Sequence, residues 1–377
     1  MFGIGEKILK KIKIICACGA RPNFIKMASL MRAFKLNDSI ETFLVHTGQH
    51  YDKKMSHLFF EELNIPRPDV NLEVGSGSHA VQTAEIMKRF EPVVLDFKPD
   101  YVLVVGDVNS TIACGLVAVK LGVKLIHVEA GLRSFDRTMP EEINRIVTDS
   151  ISSLLFVTEQ SGIENLKNEG INSDKIHLVG NVMIDTLLAN REKSQGSAIL
   201  EQLHLEKKKF VVVTLHRPSN VDSPDSFEKI LAAFEVMEKD IKLIFPIHPR
   251  TRNNLEGTYL NDRVKMMRNL ILLEPVGYLD FLKLMSHSAL VITDSGGIQE
   301  ETTILGIPCM TLRENTERPV TIAEGTNQLV KLTTENILSA YRELKARSFS
   351  VSGRIPRYWD GKAAERILEI IMKNSAT

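Results

Sequence analysis

The sequence predicts an α/β protein of two doubly wound parallel sheets that face each other across a cleft. Three observations carry this expectation. The chain has 377 residues, enough for two domains of ordinary size. In both halves, short β-branched runs alternate with longer helical stretches, which implies parallel strands joined by crossover helices. Residues 290–302 then read as a buried strand, Leu-Val-Ile-Thr, that turns through Asp294, Ser295, Gly296 and Gly297 into a helix. Two glycines at that turn let the backbone approach a ligand closely. The new helix aims free N–H groups and its positive end at the ligand, which suits a phosphate or diphosphate.

The elements follow in order. Residues 11–17 are rich in β-branched side chains and read as the first buried strand. The strand runs into Cys18-Gly-Ala-Arg21-Pro-Asn-Phe-Ile-Lys26, and a helix starts at about Pro22, a residue favoured in a first helical turn. Arg21 and Lys26 suit anionic oxygens. The glycine spacing is neither a dinucleotide fingerprint nor a Walker A loop. Residues 42–46 read as strand, with Thr47-Gly-Gln49-His50 as its loop. Helices are expected at 53–63 and 80–97. A buried strand within 98–107 ends in Gly106-Asp107, a helix covers 109–121, and the strand 124–128 ends in His127-Val-Glu129-Ala-Gly-Leu-Arg133. Pro140-Glu141-Glu142 opens another helix, and short strands are expected at 154–158 and 175–179.

Residues 191–209 are mostly polar, including Lys207, Lys208 and Lys209, and read as a solvated surface near a domain change between 180 and 208. The second half places strands at 210–215, 242–246, 271–273, 290–293 and 309–311, and helices at 333–346 and 361–372. The expected domains are therefore 1–190 and 191–360, with a C-terminal helix in 361–377 that packs back on the first.

Composition narrows the function. Lys and Arg total 47 against 47 Asp and Glu, so no global field favours nucleic acid or an anionic membrane. Apolar content is 44% and charged content 25%, an ordinary globular mixture. No apolar run is long enough to span a bilayer, and the first ten residues read as too short and too charged for a signal peptide. Cys16, Cys18, Cys114 and Cys309 lack zinc spacing and read as reduced thiols of a cytoplasmic protein. A metal site is not the expected reading of these cysteines.

Polar groups that could carry chemistry lie just after strands in both halves. The first half offers Arg21, Lys26, Asp107, Glu129, Arg133 and Glu141. The second offers His216, Arg217, His248, Arg250, Ser295, Glu301, Arg313 and Arg318. Carboxylates, histidines and arginines at strand ends point to acid–base work on an anionic substrate. Taken singly, Asp107 reads as a helix cap. Glu141 and Glu142 read as acids favoured by a helix dipole. Glu129 is harder to explain as structure, because charge at a strand's buried end needs a partner.

Together the motifs resemble one family, the non-hydrolysing UDP-N-acetylglucosamine 2-epimerases. The matching residues are Gly19-Ala-Arg-Pro-Asn-Phe-Ile-Lys26, Gly48-Gln-His50, Gly106-Asp107, His127 to Arg133, Pro140-Glu-Glu-Ile-Asn-Arg145, His216-Arg217, Thr293-Asp-Ser-Gly-Gly-Ile-Gln-Glu-Glu301, Thr316-Glu-Arg-Pro319 and Asp360-Gly-Lys-Ala363. The resemblance spans about residues 11 to 370. It implies the glycosyltransferase-B-like fold of two Rossmann-like domains, with the carboxylates in the first and UDP held by the second. It implies interconversion of UDP-GlcNAc and UDP-ManNAc through elimination of UDP, a 2-acetamidoglucal intermediate, and re-addition with the proton on the other face of C2. The product would serve synthesis of ManNAc-containing polysaccharide or glycan. Asp107, Glu129 and Glu141 match the family's acid–base carboxylates, and His216 a histidine near the diphosphate and sugar. Arg21, Lys26, Arg133, Ser295, Gly296, Gly297, Glu301 and Arg318 are expected to bind substrate, Glu301 at the ribose. Gln49 and His50 match part of a site where bacterial members bind a second UDP-GlcNAc as activator. A homodimer without cofactor is expected.

Asn23-Phe24, Ser219-Asn220 and residues 134–139 depart from the family's usual wording, without removing a catalytic match. A hydrolysing relative that releases ManNAc and UDP, a glycosyltransferase of the same fold, and a silent nucleotide-sugar sensor are the alternatives. The hydrolysing relative shares the carboxylates, and the full set of motifs favours the epimerase over it; the carboxylates themselves favour the epimerase over the other two.

Overall fold

The computed structural model describes residues 11–48, 60–247 and 249–375. The chain divides into two compact units, Met1–Thr186 with Asp360–Thr377, and Leu187–Trp359.

The first unit is built on a seven-stranded parallel sheet in the order β3-β2-β1-β4-β5-β6-β7. The strands are β1 (Ile12–Cys18), β2 (Ile40–His46), β3 (Val70–Asn71), β4 (Tyr101–Val105), β5 (Lys124–Ala130), β6 (Leu154–Val157) and β7 (Ile176–Leu178). Its helices are α1 (Arg21–Lys35), α2 (His79–Phe97), α3 (Asn109–Lys120), α4 (Pro140–Ile151), α5 (Gln160–Asn168) and α6 (Val182–Ser194), the last of which continues beyond the unit's Thr186. Every residue of β4 is buried, which is why it reads as an uninterrupted apolar run. The core between β1, β4 and helices α2 and α3 includes Ile15, Val102, Val104, Phe90 and Val117. Small side chains, Ala113 and Cys114, bring α3 close to the sheet.

The second unit is a six-stranded parallel sheet in the order β10-β9-β8-β11-β12-β13. These strands are β8 (Phe210–Thr214), β9 (Lys242–Pro246), β10 (Leu270–Leu273), β11 (Leu290–Thr293), β12 (Cys309–Thr311) and β13 (Asn327–Leu329). Its longer helices are α7 (Pro224–Met237), α8 (Tyr278–His287), α9 (Gly296–Leu305) and α10 (Thr334–Ala346). Phe227, Phe234, Phe245 and Ile292 pack in its core. In each sheet the strand order reverses once, between β1 and β4 and between β8 and β11. In doubly wound sheets that point, at the carboxyl ends of the strands, is where ligands bind.

Two expectations change. Residues 191–209 do not begin outside regular structure: α6 carries helix through Ser194, with Ile184, Leu187, Asn190 and Ser194 buried and Arg191, Glu192 and Lys193 exposed. The edge strands β3 and β13 have two and three residues and make no run that a sequence pattern can show. The expected helix at 53–63 lies, up to residue 59, outside the described residues.

The last helix, α11 (Ala363–Ser375), packs against α1 in the first unit. Asp185 of α6 accepts the N–H groups of Ala363 (3.2 Å) and Ala364 (2.8 Å), which caps the helix start.

Candidate active site

In the first unit, polar groups gather where β1, β4 and β5 end. Strand β5 is not straight. Its register with β6 shifts between Val128 and Ala130, so Glu129 stands on a bulge with φ of 75°. A left-handed glutamate costs about 1–3 kcal/mol and persists only where its surroundings hold it. The flanking residues do so. The buried His127 ring bridges the Gly106 carbonyl (2.8 Å) and the Asp149 carboxylate (2.6 Å). Asp149 also accepts the Gly131 N–H at 3.1 Å.

Glu129 is 6% exposed and forms an ion pair with Lys26, itself 5% exposed. Lys26 comes from α1, whose first turn is bolted to β4: Asn23 accepts the Ala20 N–H (3.1 Å) and donates to the Val105 carbonyl (3.0 Å). Gly106 has φ of 67°, and a Cβ there would lie 3.0 Å from Lys26 Nζ. Glycine at this turn therefore serves both conformation and clearance.

Asp107, one residue further, pairs with Arg145 of α4 and is a quarter exposed. Arg145 also pairs with the buried Glu142. Glu142 clasps the preceding loop, accepting the Ser134 N–H and hydroxyl (both 2.9 Å) and the Phe135 N–H (3.0 Å). Its neighbour Glu141 is half-buried in the first turn of α4 and has no hydrogen bond or ion pair among the described residues. Adjacent glutamates thus have different lives, one clasping a loop and one open.

Two assignments shift here. Arg133, expected at the substrate, is held by Asp149 (2.8 Å), by both Glu169 oxygens (2.7 and 2.6 Å) and by the Leu132 carbonyl (2.7 Å). The guanidinium ties β5 to the end of α5. Lys26, expected on anionic oxygens of the substrate, is engaged with Glu129. The side chains of Arg21 and Arg250, and residues Gln49, His50 and His248, lie outside what the structure describes.

In the second unit the site forms beyond β8, β11 and β12. Asp294 is fully buried and accepts the N–H groups of His216 (3.1 Å) and Arg217 (2.9 Å), the Asn220 amide (3.1 Å) and His216 Nδ1 (3.0 Å). Burial works to raise its pKa, but the His216 side chain and these N–H groups outweigh it and hold the carboxyl below its ordinary value. His216, about half exposed, is thereby fixed in tautomer and orientation, with Nε2 left for a ligand.

Ser295 stands at the N-cap position of α9 without a side-chain capping bond, and the first-turn N–H groups of Gly296 and Gly297 have no partner within the helix. A Cβ on Gly296 would lie 2.5 Å from Arg318 Nη1 and 2.7 Å from Glu317 Oε1. Arg318 is buried against this turn by Glu300 (2.7 Å) and Glu317, and Glu317 also holds Arg313 (2.8 Å). The guanidinium places fixed positive charge beneath the helix start. Glu301 is 1% exposed and accepts the Tyr278 hydroxyl at 3.0 Å. Burial, with Glu300 alongside, pushes its pKa up to about 7 despite the tyrosine bond.

Sequence reasoning passed over Asp149 and the supporting role of Arg145, and read Glu142 only as an acid favoured by a helix dipole. The Glu142–Arg145 spacing of three on a helix was the one local signal for that pair.

Residues 32–372 match the family model described as UDP-N-acetylglucosamine 2-epimerase. A UDP-N-acetylglucosamine 2-epimerase homolog of Methanococcus maripaludis is 45% identical, covering 96% of this chain and 99% of the relative. A UDP-2,3-diacetamido-2,3-dideoxy-D-glucuronate 2-epimerase of Pseudomonas aeruginosa is 39% identical, covering 96% of this chain and 100% of the relative. The crystal structure of Methanocaldococcus jannaschii UDP-GlcNAc 2-epimerase in complex with UDP-GlcNAc and UDP is 42% identical, with a TM-score of 0.90 over 96% of this chain and 100% of that one.

Proposed function

The chain belongs to the UDP-N-acetylglucosamine 2-epimerase family, and from that premise we propose that it interconverts UDP-GlcNAc and UDP-ManNAc without releasing free sugar. The observation that supports this best is the set of three differently held carboxylates at one sheet edge. Glu129 is paired with Lys26, Asp107 with Arg145, and Glu141 with nothing among the described residues.

The residue types fit the chemistry. The C2 proton of the sugar is weakly acidic, so UDP must leave as, or before, that proton is taken. In the second unit, the N–H groups at the start of α9, with Ser295 at the N-cap position and Arg318 beneath, suit the charge developing on the departing diphosphate. As imidazolium, His216, held by Asp294 through Nδ1, would donate to it through Nε2. In the first unit, inversion at C2 needs a proton taken on one face and returned on the other, hence more than one acid–base group. Asp107, Glu129 and Glu141 supply them. Glu301 is assigned to the ribose hydroxyls. Arg133 is left out of the binding set, because its donors are used within the fold.

The same reading makes the protein a cytoplasmic homodimer. Its four buried, free thiols suit a reducing compartment, and no helix of the described residues is long and apolar enough to cross a membrane. Light scattering tests the dimer.

Proton NMR of UDP-GlcNAc incubated with the protein in deuterated water tests the activity. The expected result is UDP-ManNAc with deuterium at C2 and little free sugar. Free ManNAc and UDP as main products would refute retention of the intermediate. Turnover of UDP-2,3-diacetamido-2,3-dideoxy-glucuronate in preference to UDP-GlcNAc would refute the sugar assigned.

A further inference from the structure

We propose that Lys26 is a positioning residue for Glu129 and not a phosphate ligand: its ammonium fixes Glu129 as an aimed anion that accepts the C2 proton. This inference rests on the epimerase reading above.

Four observations support it. Both side chains are nearly inaccessible, Lys26 at 5% and Glu129 at 6%, and they are in direct ionic contact. A buried ion pair is costly to assemble and is weak evidence of stabilisation by itself. Second, the carboxylate starts from a strained backbone. The bulge at Glu129 turns a side chain that would otherwise alternate with its strand neighbours, and His127 and Asp149 lock the strand on either side. Third, the ammonium is aimed by its own scaffold. Asn23 ties the start of α1 to Val105, and Gly106 leaves room for Nζ where any side chain would press on it. Fourth, the other carboxylates are held differently. Asp107 has a guanidinium partner and partial exposure, whereas Glu141 has no ionic partner among the described residues. A carboxylate that takes a proton must be aimed at it, and the contact with Lys26 supplies that aim.

The step balances simply. The Glu129 carboxylate takes the proton from C2, the C–H electron pair becomes the C1–C2 double bond, and the C1–O pair leaves with UDP. In the reverse direction Glu129 returns the proton. Lys26 touches neither sugar nor diphosphate and keeps its own proton throughout.

A double-mutant cycle tests this: wild type, Lys26→Met, Glu129→Gln and the double variant, each assayed for C2 deuterium incorporation and for KM. Lys26→Met is expected to lower kcat by about 100-fold with KM changed by less than roughly threefold, the signature of a group that acts in the chemical step. Lys26→Arg should recover part of the rate. In the Glu129→Gln background, Lys26→Met should cost less than roughly threefold more, because a residue acting only through Glu129 has nothing left to position. The same loss in both backgrounds, or a rise in KM of more than about tenfold with kcat kept, overturns the proposal in favour of phosphate binding. If Lys26→Met alone fails to fold, Lys26→Arg, which keeps a cation beside Glu129, still decides: a fall in kcat with KM kept supports positioning, and a rise in KM with kcat kept overturns it. Absence of deuterium incorporation by the wild type would overturn the epimerase reading and this inference with it. Incorporation by the wild type with an additive cycle would overturn this inference alone.

Discussion

Gly296→Ala should disable the turn proposed to hold UDP through a single methyl group. The added Cβ would lie 2.5 Å from Arg318 Nη1 and 2.7 Å from Glu317 Oε1, well inside van der Waals contact. Arg318 cannot swing aside cheaply, because it is buried and bonded to both Glu300 and Glu317. Glu317 in turn holds Arg313. Overpacking of this kind costs about 1–3 kcal/mol. If the turn yields, the first N–H groups of α9 move away from the diphosphate. If the turn holds, the second unit loses the same energy in stability. Calorimetric titration with UDP is expected to show affinity reduced about 10- to 100-fold, since 1.4 kcal/mol is a factor of ten. The melting midpoint should fall by about 2–4 °C for each kcal/mol that the fold absorbs. Gly77→Ala is the matched control: its Cβ would meet Val81 at an ordinary 3.7 Å, so both measurements should stay at wild-type values. A Gly296→Ala protein with native UDP affinity and an unchanged melting curve would refute the steric argument.

Other expectations follow from the same contacts. Glu141→Gln should leave stability within about 0.5 kcal/mol, because the carboxylate has no partner to lose among the described residues, while C2 exchange falls by about 10²–10⁴-fold; thermal melts and deuterium incorporation on one preparation separate the two. Arg145→Met should destabilise the first unit by about 3–5 kcal/mol, by leaving Glu142 buried and unbalanced, read by urea unfolding. Glu301 titrates near 7 in the fold against 4.5 as its ordinary value, so the folded state binds the extra proton and stability declines as pH rises between these values; Glu301→Gln should flatten that slope in a pH series of urea midpoints. Asp294 has the opposite sign. Its lowered pKa contributes stability above the ordinary carboxylate range that is lost as pH falls through the folded value, and Asp294→Asn should remove that acid limb.

The strands were legible because buried parallel strands are continuous apolar runs, as in β4 and β11. The α7 and α8 helices were not singled out, although Ser223, whose hydroxyl accepts the Ser226 N–H, is a readable cap for α7. Site positions were legible wherever they follow a strand directly: Asp107 after β4, His216 after β8 and Ser295 after β11. Partnerships were not. The sequence shows Lys26 as a cation near a glycine turn, which suits a phosphate as well as it suits Glu129. The two residues are far apart in the chain, and only the adjacency of β1, β4 and β5 joins them. The partners of Arg133 were hidden for the same reason, since its carboxylates sit on later elements.

The C-terminal helix carries a consequence for biosynthesis. Because α11 packs against α1 and is capped by Asp185, the first unit borrows its last piece from the end of the chain. All of Leu187–Trp359 emerges from the ribosome before that piece exists. The second unit is contiguous and can fold as it is made, whereas the carboxylate-bearing unit waits with the hydrophobic face of α1 uncovered. The earlier unit in the sequence is thus the later one to be finished. A chain cut short in its final turns would carry every residue of the candidate site and still lack the element that completes its scaffold.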